Sequence, residues 1–484
     1  MCFAQNFASL REKRASLQMQ YVVKCMKKYQ HLQIYFVHYT KNVQDKNLFW
    51  GGNKMHFKKK IAATLSIVLA AGSVAGCSAN QSANSSEGAN SPSVTLQFYD
   101  WSDEKDYMQK VVAEFNKRDP KLQVDLNIIN AANNEYKTKM LVMLSGGANL
   151  DVYCANGTSD LQVYTSKKAL EDITDQVKQQ SINVSAYGPS FQDLVGKLGN
   201  KYYALPYRAS AYALFYNKDI FDSAKQTFPQ QMTWSQYADL AKKLTSGSGD
   251  TTQWGGYFAD WMEAPFGALQ NGSTLIDDSQ DANRNWLSFL NQIYNVDKSH
   301  MSYKQMKAEK TDWLKEFESG KIAMMPNGEW TINMLNADIA AGKCKINYGI
   351  APFPIPDGSS EAVTVGGDST FVGVYSKSKN KDAAFQFVQF LSGEEGESII
   401  AKSGVLPAYN SSKTKETFLS STGVDGSDYF FNVKKTVEEN QLIDKMSEIN
   451  QLNSEQRGLY LLGQQSLDDT MKNFVEQRKS ILGK

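Results

Sequence analysis

Val94-Thr95-Leu96-Gln97-Phe98-Tyr99 alternates apolar and polar residues with the period of two that a half-buried strand requires. The period then changes. Between Tyr107 and Arg118, Val111, Val112 and Phe115 fall at helical spacing, and Asp119-Pro120 ends the run. Leu122 to Ile128 alternates again, Tyr136 to Leu144 reads as a helix stopped by Gly146-Gly147, and Leu150-Asp151-Val152-Tyr153 reads as a third strand. Strand, helix, strand, helix, strand is the order of an α/β domain with a largely parallel sheet. Such sheets bind ligands beyond the carboxyl ends of their strands. Here those ends lead into Asp100-Trp101-Ser102-Asp103 and Ala155-Asn156-Gly157.

Upstream of this domain the chain carries an address. Lys58-Lys59-Lys60 is followed by an apolar run from Ile61 to Ala75 and then by Gly76-Cys77. A basic start, a short apolar stretch and small residues at a cleavage point are the marks of a secretory signal. The run falls short of the ~20 apolar residues that span a bilayer as a helix. Val74-Ala75-Gly76-Cys77 resembles the bacterial lipobox, which makes Cys77 the expected lipidated N-terminus of residues 77–484. Residues 1–54 read as an upstream extension ahead of a better start at Met55, and residues 55–76 as the signal. Ser78 to Pro92 is small, polar and of low complexity, the composition of a flexible tether. Fully extended it reaches at most about 50 Å.

Charge and residue counts exclude several function classes. Of 52 basic and 51 acidic residues, 12 and 2 lie in residues 1–76, so the remainder has 40 basic against 49 acidic and a net charge of −9. That is no footprint for nucleic acid. Beyond Cys77 only Cys154 and Cys344 remain, which suits two free thiols better than a disulfide framework or a cysteine zinc site. His300 is the one histidine of residues 77–484, so neither a histidine-ligated metal nor a cofactor is expected. Its polar run, Asp297-Lys298-Ser299-His300, suggests a solvated loop. Gly196-Lys197, Gly320-Lys321 and Gly342-Lys343 lack the Ser or Thr of a phosphate-binding loop, so ATP hydrolysis is not expected of this chain. The 408 residues from Cys77 onward exceed one ordinary core and suggest two domains.

Four later segments carry a resemblance. Asn200-Lys201-Tyr202-Tyr203-Ala204-Leu205-Pro206-Tyr207 runs on to Leu214-Phe215-Tyr216-Asn217-Lys218-Asp219. Phe317-Glu318-Ser319-Gly320-Lys321-Ile322-Ala323-Met324-Met325 leads to Asn327-Gly328-Glu329-Trp330. Tyr348-Gly349-Ile350-Ala351-Pro352-Phe353-Pro354 precedes Val365-Gly366-Gly367. Ser378 to Phe387 leads to Gly404-Val405-Leu406-Pro407. Together and in this order they resemble the family 1 extracellular solute-binding proteins, lipoprotein receptors of ABC importers related to maltose-binding protein; Asn200 stands where that family usually has glycine. The resemblance implies a periplasmic-binding-protein-like α/β fold of two lobes, with a hinge and an interlobe ligand cleft. Lobe 1 would be 93–208 with 366–393, and lobe 2 would be 209–365 with 394–484.

The resemblance also implies a role. The chain would be a monomeric, membrane-anchored receptor outside the cytoplasm, without enzymatic activity. It would pass a carbohydrate, an oligosaccharide in particular, to a permease driven by a separate ATPase. A sugar offers hydroxyls and an apolar C–H face, so its site needs aromatic platforms beside planar polar side chains. Trp330, which closes the Asn327–Trp330 segment, is the first candidate, joined by Trp101 and Trp261. The polar candidates are Asp100, Asp103, Asn156, Arg208 and Asp368, and Tyr207, Asp260 and Gly367 complete the set. Asp103 could instead cap the following helix, and Arg208 could pair with a carboxylate across the hinge. Trp286 and Trp313 fall at helical spacing with Phe289 and Phe317, as core residues do, and Trp234 follows Thr233 as at a helix start. Two other readings stay open: a secreted glycoside hydrolase with paired carboxylates, and a receptor for a non-sugar solute such as a polyamine.

Overall fold

The computed structural model describes residues 93–131, 135–262, 264–359, 361–366, 369–433 and 435–483. Cys77, its tether, Gly367 and Asp368 lie outside them. In chain order the strands are β1 (Val94–Trp101), β2 (Leu122–Ile129), β3 (Val152–Asn156), β4 (Leu205–Arg208), β5 (Tyr212–Asn217), β6 (Met324–Gly328), β7 (Tyr348–Ala351), β8 (Val363–Gly366), β9 (Thr370–Val374) and β10 (Lys435–Glu438).

One lobe is built on a five-stranded sheet of order β2-β1-β3-β9-β4. β1 pairs in parallel with β2, from Val94 opposite Leu122 to Trp101 opposite Ile129, and also in parallel with β3. The connecting helices Lys105–Asn116 and Glu135–Gly146 supply the crossovers that parallel pairing requires. β9 runs antiparallel between β3 and β4. Helices cover the sheet, and its core gathers Phe98, Met108, Val111, Val152, Leu205, Val372 and Phe387.

The other lobe centres on β5, fully buried between antiparallel β6 and β7. Its core is rich in aromatic residues: Trp234 lies edge-on to Trp286, with ring centroids 5.0 Å apart. Thr233 caps the helix Trp234–Leu244 in a reciprocal box with Gln236, which aims Trp234 into this core. The C-terminal helices Met446–Leu461 and Leu467–Leu482 form a smaller cluster with Leu275.

The chain passes between the lobes at 208–212, between the end of β8 and the start of β9, and near 405. Ala209 N donates to Leu406 O at 3.1 Å, and Arg208 bridges to Pro407, so the first and third passages are hydrogen-bonded to each other. The third passage corrects an expected boundary. Helix Glu394–Ala401 packs on Lys105–Asn116, and Ile400 and Val405 lie in the first lobe's core, so the chain leaves that lobe near 405 and not at 393. A further segment returns to it: beyond β10, which pairs in parallel with β8 of the second lobe, Leu442 packs on the first lobe's core, and Asp444 accepts from Gln162 at 2.7 Å and Ser166 at 2.8 Å.

His300 is not solvated. After the π-turn Gln292–Val296, Lys298 takes φ 52° and drops Ser299 and His300 inward. The imidazole is 1% exposed, bonded to Tyr237 Oη at 2.8 Å and Ser299 Oγ at 2.9 Å, and stacked on Phe258. A Cβ on Gly256 would stand 2.1 Å from its Nε2, so only glycine leaves room for the ring. Cys154 and Cys344 are both free thiols, the first buried and the second partly so.

Candidate functional site

Where β4 gives way to β5, one guanidinium joins carboxylates from both lobes. Glu104, beside the end of β1, and Glu329, just after β6, are almost completely buried. Arg208 Nε lies 3.3 Å from Glu104 Oε1, and its Nη1 lies 3.8 Å from Glu329 Oε1. Arg208 also donates from Nε and Nη2 to Thr370 Oγ1, at 3.1 and 2.9 Å. Glu104 accepts a short hydrogen bond from Tyr207, whose ring is buried. Glu329 Oε2 accepts from Ser210 Oγ at 3.1 Å and from Ala211 N at 3.2 Å.

Burying these charges has a cost that their pairing only partly offsets. Burial pushes the Glu329 carboxyl up to about 7, against the opposing pull of Arg208. Asp100, wholly buried beside Glu104, is raised well above the carboxylate range, first by burial and then by Glu104. For Arg208, burial works against the charge, but Glu104, Tyr107 and Glu329 outweigh it and raise its pKa.

Beside this cluster stands a line of rings. Trp330 opens the helix Trp330–Ala340 and is half-buried. Its ring is 5.7 Å from Tyr212 and edge-on to it, and 5.9 Å from Trp261 at 46°. Trp261 is 39% exposed and lies 6.4 Å from Trp313. A Cβ on Gly328 would come within 2.1 Å of the Trp330 ring, so glycine there lets the indole fold back over the strand end.

The sequence-predicted residues thus separate. Trp330 and Trp261 come together on the second lobe, with Asp260 at the base of Trp261 and paired to Lys307 at 2.8 Å. Arg208, Tyr207 and Asp100 meet at the crossover. Asn156 and Asp103 are exposed at the ends of first-lobe elements, and Glu104, not Asp103, holds the N-cap position of Lys105–Asn116. Trp101 is 5% exposed, edge-on to Tyr136 in the first lobe's core, and presents no open face. Trp313, expected in the core, is only partly buried and extends the line of rings, whereas Trp286 is buried as expected.

Sequence reasoning missed Glu104, Glu329, Thr370 and Tyr212. Glu329 was within reach, since it sits between the glycine and tryptophan of a quoted segment; Glu104 is one acid among several at a helix start. A separate recess of about 120 Å³ lies between the first lobe and β10, lined by Thr158, Asp193, Ser369, Phe371 and Thr436 among others, and by none of the sequence-predicted residues. Among the described residues no group of His, Cys, Asp and Glu could hold a metal ion.

Comparison with known proteins agrees with this architecture. The chain is 23% identical to a multiple sugar-binding protein of Streptococcus mutans, over 70% of this chain and 79% of that one. It is 27% identical to an sn-glycerol-3-phosphate-binding periplasmic protein of Rhizobium meliloti, over 44% of this chain and half of that protein. A sugar transporter of Rhizobium etli, solved in an open conformation, superposes with a TM-score of 0.69 at 26% identity, covering 80% of this chain and 99% of that one. A substrate-binding protein of Listeria monocytogenes in complex with cycloalternan gives 0.71 at 22% identity, with the same coverage. The family model for bacterial extracellular solute-binding protein matches residues 101–398, and the chain belongs to that family.

Proposed function

We propose that this chain is an extracytoplasmic receptor that captures an oligosaccharide and delivers it to the permease of an ABC importer, anchored to the membrane through lipid on Cys77. The observation that carries the reading is the juxtaposition of half-exposed Trp261 and Trp330 with the buried Glu104–Arg208–Glu329 cluster. Indole faces match the C–H face of a sugar, and polar groups with fixed geometry match its hydroxyls. Two adjacent indoles favour a ligand of more than one ring.

The cluster also bears on ligand charge. Arg208 is already paired with Glu104 and Glu329, an arrangement better suited to a neutral polyol than to a phosphate ester. Members of this family are named as binding proteins, and both glutamates are tied to Arg208 instead of standing free across a scissile bond. The role proposed is therefore binding without hydrolysis.

A thermal-shift screen of the purified protein against monosaccharides, maltotriose, raffinose, glycerol 3-phosphate and spermidine tests the reading. A ligand at 100 times its Kd stabilises the native state by about 2.7 kcal/mol. A shift with an oligosaccharide, with the sugar recovered intact, is the expected outcome. A shift with glycerol 3-phosphate or spermidine alone, or cleavage of the sugar, would overturn it.

A further inference from the structure

Trp261 sits on a short loop whose hold on the protein comes from elsewhere in the chain. Met262 N donates to Ala259 O at 3.0 Å, so residues 259–262 form a turn with the Asp260–Trp261 peptide at its centre. Ala259 and Met262 are buried, while Trp261 projects outward. The central peptide of such a turn can flip without moving its ends, and a flip would redirect the indole.

Two cations contact this turn. Arg457, 5% exposed and borne on the C-terminal helix Met446–Leu461, donates from Nη2 to Asp260 O at 3.1 Å and from Nη1 to Met262 O in a short contact. One rigid fork thus grips the carbonyls on either side of Trp261. Lys307 Nζ binds the Asp260 carboxylate at 2.8 Å. Both cations lie over the Tyr303 ring, at 5.8 Å for Arg457 and 5.4 Å for Lys307, which anchors them to the helix Tyr303–Glu309.

We propose that Arg457 and Lys307 are positioning residues for Trp261, so that the C-terminal helix sets the orientation of an aromatic face in the ligand site. A guanidinium suits the task because its planar donors reach two acceptors at once; a lysine ammonium at the end of a flexible stem would hold one. The consequence for affinity rests on the carbohydrate reading above, whereas the positioning itself does not. If Arg457 served only to pack its helix, its loss would lower the melting temperature and leave the Trp261 environment unchanged.

The test uses full-length protein labelled with 5-fluorotryptophan, with the Trp261 ¹⁹F resonance assigned by its loss in Trp261→Phe. In the ligand-free protein, Arg457→Lys should shift or broaden that resonance while those of Trp234 and Trp286 stay in place. Lys307→Met, a change at a more exposed side chain, should move it in the same selective way, and it decides the matter if Arg457→Lys does not fold. A Trp261 resonance that stays put in the folded variants would overturn the proposal. Titration with maltotriose and raffinose then reads the consequence: Arg457→Lys should weaken binding roughly tenfold in the parent and less than about twofold in a Trp261→Ala background. Comparable weakening in both backgrounds would refute the link between Trp261 and affinity. If neither sugar binds the parent protein, the carbohydrate reading fails while the resonance still judges the positioning.

Discussion

At the scale of single residues, the buried imidazole of His300 makes stability depend on pH. Burial holds its pKa down at about 3, below its ordinary value of 6.5. The unfolded chain takes up a proton below pH 6.5 that the folded chain refuses until near pH 3, so stability is lost as pH falls through that window. By pH 5 the accumulated loss is about 2 kcal/mol. His300→Gln, which cannot charge, should lack this component in denaturation curves taken across the range. Glu329 works in the opposite sense, because a carboxyl raised to about 7 gives up stability as pH rises from its ordinary 4.5. Glu329→Gln should therefore remove a loss between pH 4.5 and 7, and equal pH slopes in wild type and both variants would contradict both assignments.

Close approach at Gly328 makes a second residue-scale prediction. Gly328→Ala should displace the Trp330 indole and weaken oligosaccharide binding while the melting temperature changes little, because the atoms in the way belong to a side chain and not to backbone. Unchanged affinity would show that Trp330 does not contact the ligand. At this scale the sequence was legible unevenly. Trp330 and Trp261, both singled out as candidates from the sequence, stand next to each other in the structure. Trp101 could not be placed, because the alternation that runs from Leu96 to Asp100 breaks at the strand's last residue, where Asp100 and Trp101 are both buried. His300 lay in a polar run, and only a positive-φ turn and a glycine across from it explain its burial.

At the scale of elements, local pattern carried far. β1, β2 and the helices Lys105–Asn116 and Glu135–Gly146 follow the periods of two and 3.6 to within a few residues. β9 was out of reach: every residue of Thr370–Val374 is buried, so no alternation marks it, and its antiparallel neighbours β3 and β4 are remote in sequence. Helix Glu394–Ala401 was assigned to the wrong lobe because its partner, Lys105–Asn116, lies nearly three hundred residues upstream. Thr233, by contrast, announced its role. Thr233→Ala removes the acceptor for Gln236 N and should cost about 1 kcal/mol in chemical denaturation. Wild-type stability in that variant would mean that burial of Trp234 alone fixes the helix start.

At the scale of the whole molecule, two lobes meet at a hinge whose first and third passages are hydrogen-bonded to each other and whose carboxylates share one guanidinium. Such an arrangement can rotate without unfolding, and ligand bound between lobes would favour the closed form. The proposed attachment has a test of its own. Cys77→Ala should release the protein from the membrane fraction without altering its ligand affinity, since stable anchoring needs lipid and the ligand site does not; retention in that fraction would refute the anchor.

The central claim, that an oligosaccharide stacks on the indoles beside the hinge cluster, is tested most directly by calorimetric titration of wild type and Trp330→Ala with the sugar that gives the largest thermal shift. Loss of a stacking anchor on the order of 2 kcal/mol corresponds to a roughly thirtyfold weaker Kd. The account predicts saturable one-to-one binding to wild type and at least that weakening in a variant that remains folded. A folded Trp330→Ala that binds the sugar as tightly as wild type would contradict it.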